Sequence, residues 1–280
     1  YLWATTRHYP YRLNFHHESF RTEGIPLLRL GLSFVIAGVT TTGTELLVRG
    51  FINRESDESF LGFYTVGFTL IVSYARIIFA AVDADYYPRL TVVEHKTEMN
   101  AVVNRQIDAL VMLMTPFLIS FALGLPLIIR VLYTEEFLCV MPMVLSALCY
   151  MFFKAVYTPT AYLSIAKGDS RIYLVMELLY NIVFATSVTL GFHYGGLLGA
   201  GFGLTIANLY DLLAINLFYA YYYKYRMERF TLWRTLIQFI LLASTLGVCL
   251  IPNPWMKYGF GAFLLLTSLV CSYKVWRAKK

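Results

Sequence analysis

Long apolar runs alternate with short polar breaks along almost the whole chain. The runs fall at 26–52, 62–86, 107–130, 137–165, 171–193, 198–223, 232–251 and 255–276. Each matches or exceeds the roughly 20 residues a helix needs to cross a hydrocarbon layer. None shows the short alternating segments of an outer-membrane barrel, so the backbone is expected to satisfy its own hydrogen bonds as helix. The pattern predicts an all-α polytopic membrane protein with eight transmembrane helices. Between the second and third runs, 89–106 sets Leu90, Val93, Met99, Val102 and Val103 among Glu, Lys, His and Asn. That spacing predicts an amphipathic helix on the inner membrane surface.

Composition agrees. Of the 280 residues 58% are hydrophobic and 14% charged, with a mean hydropathy of +0.60, whereas a soluble domain carries about 25% charge. Cys139, Cys149, Cys249 and Cys271 lie in or beside apolar runs without CxxC or His spacing. Neither a metal site nor a disulfide framework is indicated, and no cofactor is expected.

Charge sets the orientation, because Lys and Arg accumulate in cytoplasmic loops. Sixteen of them fall on the side that carries the N-terminal stretch and the breaks near 89–105, 167–171, 224–234 and 274–280. Only Arg54, Arg130 and Lys257 fall on the other side, which also holds Glu55, Asp57, Glu58, Glu135 and Glu136. Both ends of the segment are therefore expected in the cytoplasm. Topology accounts for the net charge of +6, and no nucleic-acid partner is implied. Tyr86, Tyr87, Tyr221 to Tyr223, Tyr225, Trp233, Trp255 and Trp276 fall at span ends, where amphipathic rings prefer the headgroup layer. The chain opens at Tyr1 in a polar stretch with Arg7, Arg12 and Arg21 and no signal-peptide core. It is expected to continue a longer polytopic protein.

Several motifs occur in a particular order. A glycine–tyrosine opening leads the stretch GFYTVGFTLIVSYARIIFAAVDADYYPRL at 62–90, which ends in Pro-Arg-Leu. An asparagine-containing helix start at 101–108, the segment LIIRVLYTEEF, an Ala-Lys-Gly loop at 166–168 and a Gly-x-x-Gly turn at 196–199 follow. Over about 26–223 this order resembles the bacterial polysaccharide flippases of the Wzx type, in the multidrug/oligosaccharidyl-lipid/polysaccharide exporter superfamily. The resemblance implies twelve or fourteen spans in two six-helix lobes that move undecaprenyl-diphosphate-linked oligosaccharide across the inner membrane by alternating access. Surface polysaccharide such as O-antigen or lipopolysaccharide would be the end product. On that basis 1–25 is a cytoplasmic inter-lobe segment, 26–223 the six-span C-terminal lobe, and 224–280 a cytoplasmic loop with two additional spans. The expected partners are membrane lipid, the lipid-diphosphate-linked oligosaccharide and a missing N-terminal six-span lobe.

Charges inside spans cost roughly 2.5–3.5 kcal/mol at a helix centre, so each is a functional candidate. Arg76 and Lys154 lie deep in the second and fourth runs. Together with Arg49 they form the candidate anion site, since a diphosphate would take charge-assisted hydrogen bonds from them. Glu45 and Arg49 are four apart and predict a pair on one helix face. Glu177 with Asn181, and Asn208 with Asp211, are candidate coupling or polar pairs; interhelical hydrogen bonding is their alternative role. Asp83 and Asp85 beside Arg89 read as a gate or surface pair. Gly195, Gly199 and Gly203 predict a close-packed seam, and Pro116, Pro126, Pro142 and Pro159 predict kinks. A drug or metabolite antiporter of the same superfamily is the alternative function. A membrane-embedded polysaccharide enzyme is disfavoured, because the outer loops are short and hold only His193 as a base.

Overall fold

The computed structural model describes residues 24–93 and 95–277, apart from the side chains of 73–77 and 81–83. All regular structure among the described residues is helical. Helix α1 spans Ile25–Glu55, α2 Glu58–Val92 and α3 Lys96–Leu132. A 3-10 turn, Glu135–Val140, leads into the short α4, Met141–Ser146, and then α5, Leu148–Ala166. Helix α6 covers Ser170–Tyr222, α7 Arg229–Cys249 and α8 Pro254–Arg277. Six segments, Ile25–Glu55, Lys96–Leu132, Glu135–Ala166, Ser170–Tyr222, Arg229–Cys249 and Pro254–Arg277, are long and apolar enough to cross a membrane. The chain is a multi-pass membrane protein.

Helix α6 is 53 residues long, and it is not straight. Gly196 adopts φ 55° and ψ −139°, a conformation open to glycine and costly for other residues. There the chain folds back on itself. Gly191 faces Gly199 so closely that a β-carbon on either would strike the other's backbone. Farther from the turn, the Ser187 hydroxyl donates to the Gly203 carbonyl at 2.9 Å, and the Asn208 amide donates to the Tyr180 hydroxyl at 3.3 Å. The predicted glycine seam is thus real but shifted. Gly191, Gly199 and Gly203 form it, while a β-carbon on Gly195, next to the turn, would meet no other segment within 4 Å.

Helix α6 packs along α1 and α5; α3 packs against α5, α7 and α8. The core is dominated by α3 and α5, where Val103, Ile107, Leu110, Leu118, Leu125, Leu148, Ala155 and Leu163 are sealed from solvent. One end of the bundle gathers the breaks after α2, α5 and α6, with Arg89, Lys96, Lys167, Arg171, Arg226 and Arg229. This basic end is tied together by the Tyr223 hydroxyl, which donates to Asp169 at 2.6 Å. At the opposite end, His193 Nδ1 lies 2.7 Å from Glu55 Oε1, and the Phe63 and Phe137 rings meet edge to face with centres 5.3 Å apart.

Two expectations need correction. The stretch 89–106 is not a separate surface helix: α2 runs on to Val92, and Lys96 begins the 37-residue α3. Its apolar residues Met99 and Val103 are buried in the protein core and not laid on a lipid surface, and the neighbouring Asn104 bonds the 223–228 loop. The fourth run breaks at Ala147, between α4 and α5, while Pro142 sits harmlessly in the first turn of α4.

Candidate functional site: a tyrosine-lined cavity

A cavity of about 660 Å³ lies between α1, α2, α5 and the two arms of α6. That volume is within the range of small-molecule sites. Its lining includes Lys154, Glu177 and Asp211 together with Tyr87, Tyr157, Tyr162, Tyr173, Tyr180 and Tyr219. Helical spacing explains the convergence. Tyr173, Glu177 and Tyr180 recur every three or four residues on one face of the first arm of α6, and Asp211, Ile215 and Tyr219 do so on the second. On α5, Lys154, Tyr157, Thr158, Ala161, Tyr162 and Ile165 form the matching stripe.

The floor is a hydrogen-bonded network. Tyr157 donates its hydroxyl proton to Asn208 Oδ1 at 3.0 Å, and Asn208 in turn donates to Tyr180. Asp211 lies beside the Tyr157 hydroxyl and near Lys154. Glu177 Oε1 accepts from the Thr41 hydroxyl of α1 at 3.1 Å. Asn181 donates to the same Thr41 oxygen at 3.1 Å. Lys154 forms no ion pair among the described residues, and its ammonium lies 5.7 Å and 6.0 Å from the centres of the Tyr150 and Phe79 rings. Cation–π attraction at such distances is modest. Among the described residues, no short ion pair neutralises Lys154, Glu177 or Asp211 in the cavity.

The other sequence candidates are placed elsewhere. Glu45 and Arg49 lie near Tyr64 outside the cavity lining, and they make no ion pair with each other. Asp85 pairs with Arg89 at 2.7 Å on an exposed surface. The side chains of Arg76 and Asp83 lie outside the described residues.

Sequence reasoning missed a second polar cluster. Arg234 on α7 donates to Asp108 on α3 at 2.6 Å, with the Asp108 side chain 4% exposed and that of Arg234 32%. One turn away, Asn104 donates to the Arg226 carbonyl at 3.1 Å and accepts from the Glu228 amide at 2.9 Å. Burial of Tyr225 in this cluster pushes its phenol well above the ordinary value. Farther along, fully buried Gln238 accepts from Ser268 at 2.7 Å, joining α7 to α8. The available signal was an acidic residue opening one apolar run and a basic residue opening another.

The chain is an all-helical, multi-pass membrane protein with a polar cavity among its apolar helices. The comparison with known families is more specific. Residues 1–142 match the family model described as polysaccharide biosynthesis protein, and the chain belongs to that family. No curated protein and no solved structure matches it.

Proposed function

We propose that the chain is the C-terminal part of a flippase that carries undecaprenyl-diphosphate-linked oligosaccharide across the inner membrane by alternating access. The observation that carries this reading is the cavity, in which Lys154, Glu177 and Asp211 face a common space at the junction of α1, α2, α5 and α6. Membership of the polysaccharide biosynthesis family supports it. In this reading the chain makes eight crossings: α6 contributes two around Gly196, α2 one, and the remaining five come from α1, α3, the α4–α5 segment, α7 and α8. The basic end faces the cytoplasm. A preceding six-helix lobe closes the other side of the cavity, as in transporters built from repeated bundles. The protein transports and does no covalent chemistry. Lys154, with Arg76, supplies cations for the diphosphate.

The experiment is surface-polysaccharide assay in cells that carry the full-length protein. Lys154→Ala should lower polysaccharide while leaving membrane insertion intact, and normal levels would overturn the anion-binding role. A second reading is favoured by one observation: the described charges of the cavity include two carboxylates and one ammonium. A drug or metabolite antiporter for cations would use such a site. Resistance to cationic drugs, lost in Asp211→Asn with polysaccharide unchanged, would establish that reading instead.

A further inference from the structure

The cavity's chemistry is uneven in a way that says which part of a substrate it holds. Two carboxylates, Glu177 and Asp211, face one ammonium, Lys154. A diphosphate placed among them would have two carboxyl groups and one ammonium for neighbours in a medium of low dielectric, a poor match for an anion. Carboxylates are acceptors only, and their natural partners are donors such as hydroxyl groups. The remaining surface is dominated by tyrosine. A phenol presents a flat apolar face and a polar tip, which complements a pyranose ring with its apolar C–H face and its rim of hydroxyls.

The rings are also held in place before anything binds. Tyr173 meets Phe34 edge to face with centres 5.0 Å apart. Tyr162 packs against Tyr86 at 5.9 Å and Tyr87 at 6.2 Å. Tyr157 and Tyr180 are fixed through Asn208. Rigid aromatic groups lose little conformational entropy on binding. Such a surface is preorganised for a ring-shaped, hydroxyl-rich ligand.

We infer that this cavity grips the neutral saccharide portion of the substrate, with Tyr162 and Tyr173 stacking on sugar rings and Glu177 and Asp211 accepting sugar hydroxyls. The inference rests on the transport reading above, and it divides the substrate: the diphosphate lies toward Lys154 and the cations of the opposing lobe. Tyr162 and Tyr173 are then specificity determinants.

The test is saturation-transfer NMR on the 280-residue chain in lipid nanodiscs, with a panel of neutral mono- and disaccharides and with inorganic pyrophosphate as competitor. Transfer is expected to the C–H protons of at least one neutral sugar, undiminished by pyrophosphate. The double variant Tyr162→Ala with Tyr173→Ala should weaken binding about three- to tenfold, the range of a lost aromatic contact. Tyr162→Phe with Tyr173→Phe should retain most of it. Absence of transfer to every neutral sugar, displacement by pyrophosphate, or equal binding in a folded double-alanine variant would each overturn the inference. Flipping of a lipid-diphosphate saccharide is measured separately in liposomes with the first lobe present. Flipping without sugar contact would leave the transport reading standing and remove this one; sugar contact without flipping would do the reverse.

Discussion

Two groups of polar side chains lie within the apolar bundle, and they are wired in opposite ways. On the face shared by α3, α7 and α8, Asp108 is neutralised by Arg234, Asn104 is saturated by the 223–228 loop, and Gln238 is bonded to Ser268. In the cavity, Lys154, Glu177 and Asp211 lie close enough to feel one another, yet no ion pair joins them. The first group fastens helices through these bonds. The second keeps its charges available. Since a charge in a low-dielectric bundle is expensive unless paired, groups left without ion pairs mark the place where a ligand or water supplies the compensation.

The comparison can be broken most directly at Arg234. Replacing it with Ala leaves Asp108 buried without its cation, and loss of one partner of a buried pair costs about 3–5 kcal/mol. Because Arg234 is about one-third exposed, the lower part of that range, about 3 kcal/mol, is expected. Thermal unfolding in detergent would record it, and an unchanged midpoint would show that the pair fastens nothing. Asn104→Ala comes next. It removes the acceptor for the Glu228 amide and the donor to the Arg226 carbonyl, and about 1–3 kcal/mol should be lost. Protease cleavage near Arg226 should accelerate in that variant.

The two groups also differed in how far they could be read from sequence. Lys154, Glu177 and Asp211 stood out because each interrupts an apolar run, and all three line the cavity. The same rule selected Glu45 and Arg49, which do not. Hydropathy gives depth in a span but not which way around the helix a residue points. Asp108 and Arg234 were passed over because each lies near a span end, where charge is ordinary, and they come from runs 126 positions apart. The helical period of 89–106 was legible, but its location was not. Met99 and Val103 are buried within the protein, and the Asn104 bond to a loop 122 positions away is a long-range contact that a local period does not carry. The turn at Gly196 was legible as Gly-x-x-Gly, whereas Gly191 became part of the seam only through the fold-back. Six apolar segments are evident in the structure, and a count of eight depends on dividing α6 at Gly196 and on α2.

A smaller effect is expected at the basic end, at the Tyr223 to Asp169 contact. Burial, and then the hydrogen bond to Asp169, push the Tyr223 phenol up from its ordinary value. The neutral phenol is therefore the form the fold favours. Its contribution is fully present below the unfolded value of about 10 and declines as pH rises from there toward the folded value. Tyr223→Phe should cost about 1 kcal/mol at neutral pH and should reduce the extra loss of stability above pH 10. Unfolding midpoints measured from pH 7 to pH 11 test this; parallel curves for the two proteins would remove Tyr223 as the titrating group.

The smallest stability effect is expected at the residue with the largest proposed effect on transport. Lys154 makes no ion pair among the described residues, and its nearest aromatic rings are 5.7 Å and 6.0 Å away. Those contacts are worth about 0.5–1 kcal/mol at most, and removing the ammonium also relieves the cost of holding it within the bundle. Lys154→Met keeps the stem's apolar packing and should leave the unfolding midpoint nearly unchanged. In the full-length protein it should nevertheless lower surface polysaccharide, because the charge contributes to the ligand and not to the helices. A Lys154→Met variant destabilised as much as Arg234→Ala would place Lys154 with the fastening group and erase the distinction. An unchanged midpoint with lost polysaccharide would sharpen it, since no residue that merely holds helices together can be removed without the fold registering its absence.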